Sequence, residues 1–563
     1  MTVNEVSSRH QGLLERIVEA VSSRHSWSAY AGRTPDGPSR DEAESHLDAL
    51  RGQSFDLVDH PGVDAIQSDE ISPYTGQPLG VSYPRAKAST LVELSSDAVP
   101  ALASMGARGR AELCLEMSER LFARNHQLAV AAMHTTGQGK GMSASGSGTN
   151  ALDRGLEALG MAHLALDRVP KSARWDGQFG KSTVSLEKTY RTVPLGPAVV
   201  VACASFPAWN VYPAVFANLV TANPVIVKPH PTSVLQMAMA VQIMRQTLVD
   251  FGVDPNAVLL SVDTAAAPIT KELVTHAGVR IVDFTGSAEF GAWVEENARQ
   301  AVVFSETSGA NSVVLESLAD VDASLRAIAG SLSLFSGQMC TAPQNIYVPA
   351  GGIDTPDGVM SPEEFATGLV AAIRGIADEP KRAAAVLGAV QSAGTITSLQ
   401  DLAAQLGERG EVLTAPKPYP HPEFEGAQTC VPLVSRVSIE DHDLYETERF
   451  GPVTFLISCP DAAEGLAQAS RDAAEHGAIS AFLFSQDESF IAEAEDAFAQ
   501  AGAALTINVT GAMPMHFSAA YSDYHVSGLN PAGTATLSDD AFVSTRFRVV
   551  QSRRPVGSSP HRA

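Results

Sequence analysis

The chain has 563 residues, and its 63 Asp and Glu outnumber its 39 Lys and Arg to give a formal net charge of −24. Hydrophobic residues make up 45% and charged residues 18%, a composition typical of a folded protein and not of a disordered chain. The length predicts about two to four domains. The acidic balance, with no basic stripe, argues against a nucleic-acid partner.

The apolar segments and the cysteines exclude further classes. No run reaches the roughly 18 consecutive apolar residues of a membrane span, and residues 1–10 lack the apolar core of a signal peptide. We therefore expect a cytoplasmic protein with no membrane partner. The five cysteines are widely separated and lack CxxC spacing, so neither disulfides nor a bound metal are expected. They are Cys114, Cys203, Cys340, Cys430 and Cys459.

The N-terminal segment is predicted to be a loop-rich extension followed by helices. Turn-forming residues at 34–39 and 72–78 interrupt the first 80 or so residues before any long periodic segment begins. Residues 99–133 are rich in Ala and Leu and predict helices that end near Gly137, a residue suited to a C-terminal cap. The small residues at 139–148 predict a loop.

Residues 196–307 alternate between strand-like and helical segments. One helix is predicted over 232–251, where apolar residues recur at three- and four-residue steps and Gly252 ends the pattern. This alternation predicts parallel strands joined by right-handed crossovers, and hence a doubly wound sheet that binds ligands at the carboxyl ends of its strands. The strand-like segments are 198–204, 225–228, 258–262, 280–284 and 301–305.

A second α/β pattern from 308 to 507 predicts another domain of this type. Two other segments, 183–192 and 541–550, alternate polar and apolar residues, so each needs a partner strand to cover its apolar face. The strands predicted in the second domain are 345–348, 453–457 and 481–484.

Two glycine-containing segments are candidates for binding a phosphate. Gly146-Ser-Gly-Thr-Asn-Ala151 nearly matches the GxGxxG/A pattern but follows no predicted strand. In Phe284-Thr-Gly-Ser-Ala-Glu-Phe-Gly291 a strand ends and a helix begins at once, so N–H groups around Ser287 point toward an anion together with the helix dipole. An ordinary strand-to-helix turn is the alternative for this second segment.

Cys340 and Glu306 are candidate catalytic residues. A thiolate at Cys340 requires an electropositive or helix-terminal setting and a base within reach. Glu306 ends an apolar strand, where burial raises the pKa of a carboxyl toward the neutral range that suits a general base. The alternatives are an unreactive buried thiol and a solvent-exposed carboxylate at the end of a strand.

Five segments resemble, in order, the motifs of the aldehyde dehydrogenase superfamily, and Glu306 and Cys340 lie 34 residues apart, as they usually do in that family. The resemblance implies that Cys340 is the nucleophile and Glu306 the general base. The segments are Val227-Lys-Pro229, Phe284–Gly291, Glu306–Ser312, Gly337–Cys340 and Glu448–Pro452. The resemblance also implies how a nicotinamide cofactor is bound. Lys228 would contact the adenosine ribose, Gly286 and Ser287 the pyrophosphate, and Glu448 with Phe450 the nicotinamide ribose.

Within that superfamily, the sequence is most similar to the phenylacetic acid degradation N-type dehydrogenases. Segments 134–138, 153–157, 205–213 and 225–231 carry this similarity. This similarity implies that the partner is a small-molecule aldehyde. The substrate it implies is a ring-opened, CoA-linked semialdehyde of aerobic phenylacetate breakdown. A homodimer or homotetramer is expected.

Two positions depart from the family pattern. Counting 23 residues back from Lys228, where the family has its oxyanion-hole asparagine, reaches Ser205, and Asn210 stands five residues later. Ser205 and Asn210 are both candidate donors, and we favour Asn210; a missing donor costs on the order of 10²–10³ in rate. Three positions after Lys228, where NAD-preferring relatives often have glutamate, lies Pro231, preceded by His230. Because no carboxylate there repels a 2′-phosphate, NADP is predicted to be preferred over NAD.

The fold that the resemblance implies is α/β, with two doubly wound parallel-sheet domains and a β-ribbon oligomerisation arm. We expect residues 1–171 and 195–307 to form the N-terminal extension and the cofactor-binding domain. Residues 308–525 should form the catalytic domain, and residues 172–194 and 526–563 the arm and the tail.

The predicted reaction oxidises an aldehyde to a carboxylate through a thiohemiacetal and a thioester on Cys340, with Glu306 activating water. A CoA-acylating dehydrogenase is one alternative, and the presence of Glu306 argues against it. A non-catalytic scaffold of the same fold is another, and Cys340 argues against it. His230 and Pro231 are also candidate cofactor-binding residues. For His230, His516 and His525 there are two interpretations, a histidine that lines a pocket and one that is solvent-exposed or hydrogen-bonded in the core, and we favour the second.

Overall fold

The computed structural model describes residues 3–526, 528–537 and 539–556, so parts of the predicted extension and tail (1–2, 527, 538 and 557–563) lie outside the described residues. The helices are α1 Val3–Ser23, α2 Arg40–Leu50, α3 Ala88–Ser104, α4 Gly106–Ala123, α5 Asn125–Thr136, α6 Lys140–Ala144, α7 Ala151–Asp167, α8 Pro207–Val220, α9 Leu235–Asp250, α10 Thr270–Thr275, α11 Ala288–Asn297, α12 Val321–Ser333, α13 Pro362–Ala377, α14 Pro380–Val386, α15 Ala393–Arg409, α16 His442–Tyr445, α17 Ala462–His476, α18 Glu488–Ala501 and α19 Asp540–Ser544. The strands are β1 Asp64–Gln67, β2 Ser82–Arg85, β3 Ser172–Phe179, β4 Ser182–Pro194, β5 Ala198–Val201, β6 Val225–Lys228, β7 Val258–Leu260, β8 Ile281–Gly286, β9 Val302–Thr307, β10 Ser312–Leu315, β11 Asn345–Pro349, β12 Ile353–Thr355, β13 Gly358–Met360, β14 Glu411–Thr414, β15 Leu433–Ser438, β16 Val453–Cys459, β17 Ser480–Phe484, β18 Ala504–Ile507 and β19 Phe547–Pro555.

The first 80 residues are not the loop-rich extension that their turn-forming residues suggest. They contain α1, α2 and β1, and β1 pairs with β2 in an antiparallel two-stranded sheet. Leu14, Ile17 and Val21 of α1 recur at helical spacing and pack in the largest apolar cluster, where α1 contacts α4 and α7. The proline- and glycine-rich segment at 34–39 only connects two helices.

Residues 139–148 also differ from the predicted loop, because they form α6 and most of a π-helix that spans Ser145–Asn150. A Cβ atom at Gly146 would lie 2.7 Å from the Met142 sulfur, and one at Gly148 would lie 2.3 Å from an Asn125 side-chain oxygen. These glycines therefore permit close helix packing and do not form a phosphate loop. Gly137, with φ of 85°, caps α5 as predicted.

The first sheet has the order β7-β6-β5-β8-β9, and all of its strands are parallel. Both of its faces are covered by apolar side chains, which explains the continuous runs of β-branched residues in its strands. The carboxyl ends of three of its strands, β6, β8 and β9, carry Lys228, Gly286 and Glu306. The sheet thus gathers residues that lie far apart in sequence.

The second sheet has the order β14-β15-β16-β11-β10-β17-β18 and is parallel except for the edge strand β14. Two doubly wound sheets with a separate ribbon confirm the predicted α/β architecture. The ribbon has the antiparallel order β19-β4-β3. Residues 541–544 do not belong to it, because Asp539 accepts a hydrogen bond from the Phe542 N–H and starts α19. Among the described helices, none combines the length and the apolar character that crossing a bilayer requires.

Candidate active site

Two cavities meet at Cys340. The first, which we call the strand-end cavity, has a volume of about 460 Å³ and lies at the carboxyl ends of β5, β6, β8 and β9. The second, which we call the aromatic cavity, has a volume of about 320 Å³ and is lined by Phe206, Trp209 and Phe517. Cys340 and Asn210 line both cavities, so a ligand in one can meet a ligand in the other at the thiol.

The turn before Cys340 has an unusual backbone conformation. Phe335, Ser336 and Gly337 follow one another with φ values of 50°, 51° and 61°. A Cβ atom at position 337 would lie 2.6 Å from the carbonyl oxygen of Gly451, so this position requires glycine. Non-glycine residues in the left-handed region cost about 1–3 kcal/mol each and occur mainly where function requires them. Here they turn the chain so that the Cys340 thiol reaches both cavities.

Four side chains form a contact network around the thiol. The Sγ atom of Cys340 lies 3.8 Å from Nε2 of His525, and that nitrogen lies 3.1 Å from Oε1 of Glu306. The other carboxyl oxygen, Oε2, accepts a hydrogen bond of 2.7 Å from the Asn210 amide. The His525 ring packs against Trp209, with ring centroids 4.5 Å apart. One ring nitrogen thus faces both the thiol and the carboxylate, and because an ionised carboxylate only accepts hydrogen bonds, Nε2 is the donor to Glu306.

The electrostatic environment keeps Cys340 in its thiol form. Burial and the nearby Glu306 carboxylate raise the pKa of the Cys340 thiol well above its usual value. Reaction as a nucleophile therefore requires a group that accepts the proton. Glu306 lies close enough to do this, and His525 lies beside both groups. A nitrogen of His525, an oxygen of Glu306 and the sulfur of Cys340 lie within 4.8 Å of one another, and these atom types also suit a metal ion. That the protein binds no metal stays our prediction.

The carboxyl end of β6 carries a buried ion pair. The ammonium group of Lys228 lies 2.7 Å from a carboxyl oxygen of Asp263, and both side chains are only 3% exposed. His230 and Pro231 line the same wall of the strand-end cavity. Desolvation and the charge of Lys228 lower the pKa of His230, so its ring is neutral at neutral pH and does not attract a phosphate by charge.

The opposite wall is formed by β8, the start of α11 and the loop that carries Glu448. The Ser287 hydroxyl accepts a hydrogen bond from the Phe290 N–H and caps α11. The hydroxyl of Ser308 donates a hydrogen bond of 2.5 Å to Glu448. Burial raises the pKa of Glu448 to about 7. The Lys228 ammonium group and the N-terminus of α11 suit phosphates, and the Glu448 carboxylate suits ribose hydroxyls. A dinucleotide offers both kinds of group.

The structure brings all of the predicted site residues to the strand-end cavity. Ser205 lines this cavity alone, whereas Asn210 also lines the aromatic cavity. The predicted residues that line the strand-end cavity are Ser205, Asn210, Lys228, His230, Pro231, Gly286, Ser287, Glu306, Cys340, Glu448 and Phe450.

Of the two interpretations of the three histidines, the structure supports the one that we did not favour, in which they line pockets. His230 lines the strand-end cavity, and His516 and His525 line the aromatic cavity. The last two lie in the irregular segment between β18 and α19, where no periodic pattern shows what a side chain faces. Asp263, which the sequence analysis missed, follows the short strand β7 and carried only the weak signal of a carboxylate near a strand end.

Comparisons with known proteins agree with this geometry. A family model described as "Aldehyde dehydrogenase family" matches residues 63–534. A solved structure of an NAD-dependent aldehyde dehydrogenase from Burkholderia multivorans is 37% identical, covers 98% of this chain and 99% of that chain, and has a TM-score of 0.93. A 1-pyrroline-5-carboxylate dehydrogenase from Thermus thermophilus is 17% identical, covers 92% of this chain and 95% of that chain, and with a TM-score of 0.71 shares the fold.

The curated relatives match shorter segments. A 1-pyrroline-5-carboxylate dehydrogenase from Bacillus cereus is 25% identical over 315 residues, or 54% of this chain and 57% of the relative. One from Geobacillus kaustophilus is 28% identical over 158 residues, or 27% of this chain and 30% of the relative. The chain thus spans between about a third and somewhat over half of the length of these relatives.

Proposed function

This chain belongs to the aldehyde dehydrogenase family, and we propose that it oxidises an aldehyde to a carboxylate with a nicotinamide cofactor. The observation that carries the proposal is the contact of Cys340, His525 and Glu306 at the junction of the two cavities. One cavity has the charged groups that a dinucleotide needs, and the other can hold the aldehyde.

The reaction begins with the thiol of Cys340. In our proposal the Glu306 carboxylate accepts the thiol proton and passes it to solvent, while His525 donates a hydrogen bond of 3.1 Å through its Nε2–H to the same carboxylate. The thiolate sulfur then attacks the aldehyde carbon, and the carbonyl oxygen becomes an oxyanion. The side-chain amide of Asn210 and the backbone N–H of Cys340 donate hydrogen bonds to that oxyanion. Asn210 is favoured over Ser205 because it lines both cavities.

Oxidation and hydrolysis complete the cycle. A nicotinamide cofactor held in the strand-end cavity would supply the hydride acceptor, and loss of the hydride would convert the thiohemiacetal into a thioester on Cys340. Glu306 then accepts a proton from water, the resulting hydroxide attacks the thioester carbonyl, and the acid is released as the sulfur takes that proton back from Glu306. Because an oxygen of Glu306 and the sulfur of Cys340 lie within 4.8 Å of each other, the same carboxylate serves both proton transfers.

The cofactor would be held in the strand-end cavity. Lys228 would bind the adenosine ribose, the N–H groups that follow Gly286 and Ser287 the pyrophosphate, and Glu448 the nicotinamide ribose, with Phe450 at the rim. The predicted preference for NADP, based on Pro231, stays part of this proposal. We infer that the carboxylate of Asp263 opposes it, because Asp263 neutralises Lys228 where a 2′-phosphate would need a cation.

For the substrate, we propose a ring-opened, CoA-linked semialdehyde of phenylacetate breakdown, supported by the resemblance to the phenylacetic acid degradation N-type enzymes. The first alternative is an acylating reaction, in which CoA replaces water as the acceptor of the acyl group. A scaffold without turnover is the second alternative. Glu306 is 2% exposed and close to the thiol, which supports hydrolysis over both.

We also propose the predicted domain division, a homodimer or homotetramer and a location in the cytoplasm. The ribbon of β3, β4 and β19 supports oligomerisation, because it carries exposed apolar side chains that a partner chain could cover. They include Trp175, Phe179, Val184, Val549 and Val550.

The proposal is tested by rapid mixing of the full-length enzyme with a panel of aldehydes and each cofactor in turn. We expect Cys340-dependent formation of reduced cofactor with release of the free acid. Acyl-CoA as the product, formed only when CoA is added, would replace hydrolysis by the acylating alternative. Absence of reduced cofactor with every aldehyde would support the scaffold.

A further inference from the structure

The aromatic cavity differs chemically from the strand-end cavity. Among the residues that line it, none is Asp, Glu, Lys or Arg. Its walls are mostly apolar and aromatic and include Phe206, Trp209, Leu334, Met339 and Phe517. A charged group that entered this cavity would lose its hydration without gaining a counter-ion from the walls.

The polar side chain that stands out in this cavity is His516. It is 4% exposed, and neither of its ring nitrogens has a hydrogen-bond partner among the described residues. Burial lowers the pKa of His516 to about 4, so its ring is neutral at neutral pH and offers one donor and one acceptor. A buried polar group without a partner is costly, which indicates that a ligand group binds it.

An arginine behind the cavity wall does not offer its guanidinium to a ligand. Arg154 lies 5.1 Å from the ring of Trp209 and donates hydrogen bonds to Ser518. It is 1% exposed and lies 2.6 Å from the carboxylate of Glu157, which also pairs with Arg24. The guanidinium of Arg154 is thus held by protein groups, and Arg154 is not among the residues that line the cavity.

We propose that the aromatic cavity selects aldehydes whose far end is uncharged and carries a hydrogen-bonding group, such as an ester, thioester, amide or hydroxyl, and that His516 binds this group. The inference rests on the proposed aldehyde oxidation and narrows its substrate class. It favours a thioester-bearing semialdehyde over a semialdehyde with a free carboxylate or an α-amino acid end, such as the substrate implied by the names of the curated relatives.

The test compares aldehydes that differ only at the far end, namely adipate semialdehyde, its methyl ester and hexanal. For the wild-type enzyme we expect kcat/KM to be at least about tenfold higher for the ester than for the free acid. The substitution His516→Leu should lower kcat/KM for the ester about fivefold, as expected for the loss of one hydrogen bond, and leave hexanal within about twofold. His516→Arg should shift the preference toward the free acid.

His46→Leu, which changes an exposed histidine on α2, is the matched control and should leave all three values unchanged. A wild-type preference for the free acid, or an equal loss with ester and hexanal in His516→Leu, would overturn the inference. Calorimetry with dimethyl adipate and adipate as non-reacting ligands tests the cavity without turnover, and stronger binding of adipate would also overturn it. If no aldehyde is oxidised but the diester binds more tightly, the proposed function fails and the cavity preference stands.

Discussion

The two cavities that meet at Cys340 differ in where their polar groups come from. The strand-end cavity takes Lys228 and Glu306 from strand ends, and Asp263, which pairs with Lys228, follows the neighbouring strand β7. The aromatic cavity takes its two histidines, His516 and His525, from an irregular segment near the C-terminus. A sheet thus fixes the charged groups of one cavity, whereas an irregular segment sets the polarity of the other.

The largest effect is expected where the cavities join. Cys340→Ala should lower aldehyde oxidation to less than a few per cent of the wild-type rate, because it removes the nucleophile. Binding of the reduced cofactor, measured by fluorescence titration, should stay nearly unchanged because only one small side chain is lost. Cys430→Ala, a change in the core of the second sheet, is the matched control. Retained turnover would show that the junction is not the reaction site.

Glu306→Gln should separate the formation of the reduced cofactor from the hydrolysis of the thioester. The amide keeps the shape of the carboxylate but cannot accept a proton from water, so deacylation should slow by about 10²-fold or more. Rapid mixing should then show a burst of about one equivalent of reduced cofactor per active site before a slow steady state. Undiminished steady-state turnover would refute the role of Glu306 as the base. Acceleration by free CoA would favour the acylating alternative.

His525→Phe tests whether the aromatic cavity positions the base that serves the thiol. The aromatic ring keeps the packing against Trp209 but cannot donate a hydrogen bond to Glu306, so kcat/KM at neutral pH should fall by about tenfold. The loss should shrink as the pH rises, because hydroxide then deprotonates Cys340. Alkylation of the thiol by iodoacetamide, measured against pH, checks this directly, with His276→Phe as the control. A pH-independent loss would indicate a purely structural role.

A smaller effect is expected for Glu448. Its carboxyl has a pKa raised to about 7, so it is protonated below that pH and accepts hydrogen bonds from ribose hydroxyls less well. Cofactor affinity should therefore weaken as the pH falls through about 7. In Glu448→Gln this pH dependence should disappear, whereas the exposed carboxylate Glu440, changed to Gln, should preserve it. Calorimetry of cofactor binding between pH 6 and 8 decides between these outcomes.

The smallest effect concerns the choice of cofactor. Pro231→Glu should shift the ratio of kcat/KM for NADP and NAD toward NAD by about tenfold or less, because a carboxylate would face the 2′-phosphate. Asp263→Asn should shift the ratio the other way, since it leaves Lys228 without its partner. A wild-type enzyme that favours NAD tenfold or more would show that Pro231 does not set the preference.

The sequence by itself determined the parts of this protein whose geometry is local or regular. Short β-branched runs separated by helices specify a parallel sheet, and such a sheet binds ligands at the carboxyl ends of its strands, where Lys228, Gly286 and Glu306 lie. Resemblance to the family's motifs, in the expected order, singled out Cys340. The helix cap at Gly137 follows from the one residue type that readily adopts its positive φ.

Only the tertiary structure decided what faces these residues. The 21-residue α1 was missed although its apolar residues recur at helical spacing, because the turn-forming residues at 34–39 and 72–78 were taken to describe the whole N-terminal segment. That α1 packs against α4 and α7 could not be inferred from its own residues. His516 and His525 occupy a segment without periodicity, so burial and contact partners could not be inferred from their neighbours in sequence. Asp263 reaches Lys228 across two adjacent strands 35 residues apart in sequence. Such contacts form between segments that are far apart in the sequence and adjacent in the fold, so no local pattern of residues encodes them.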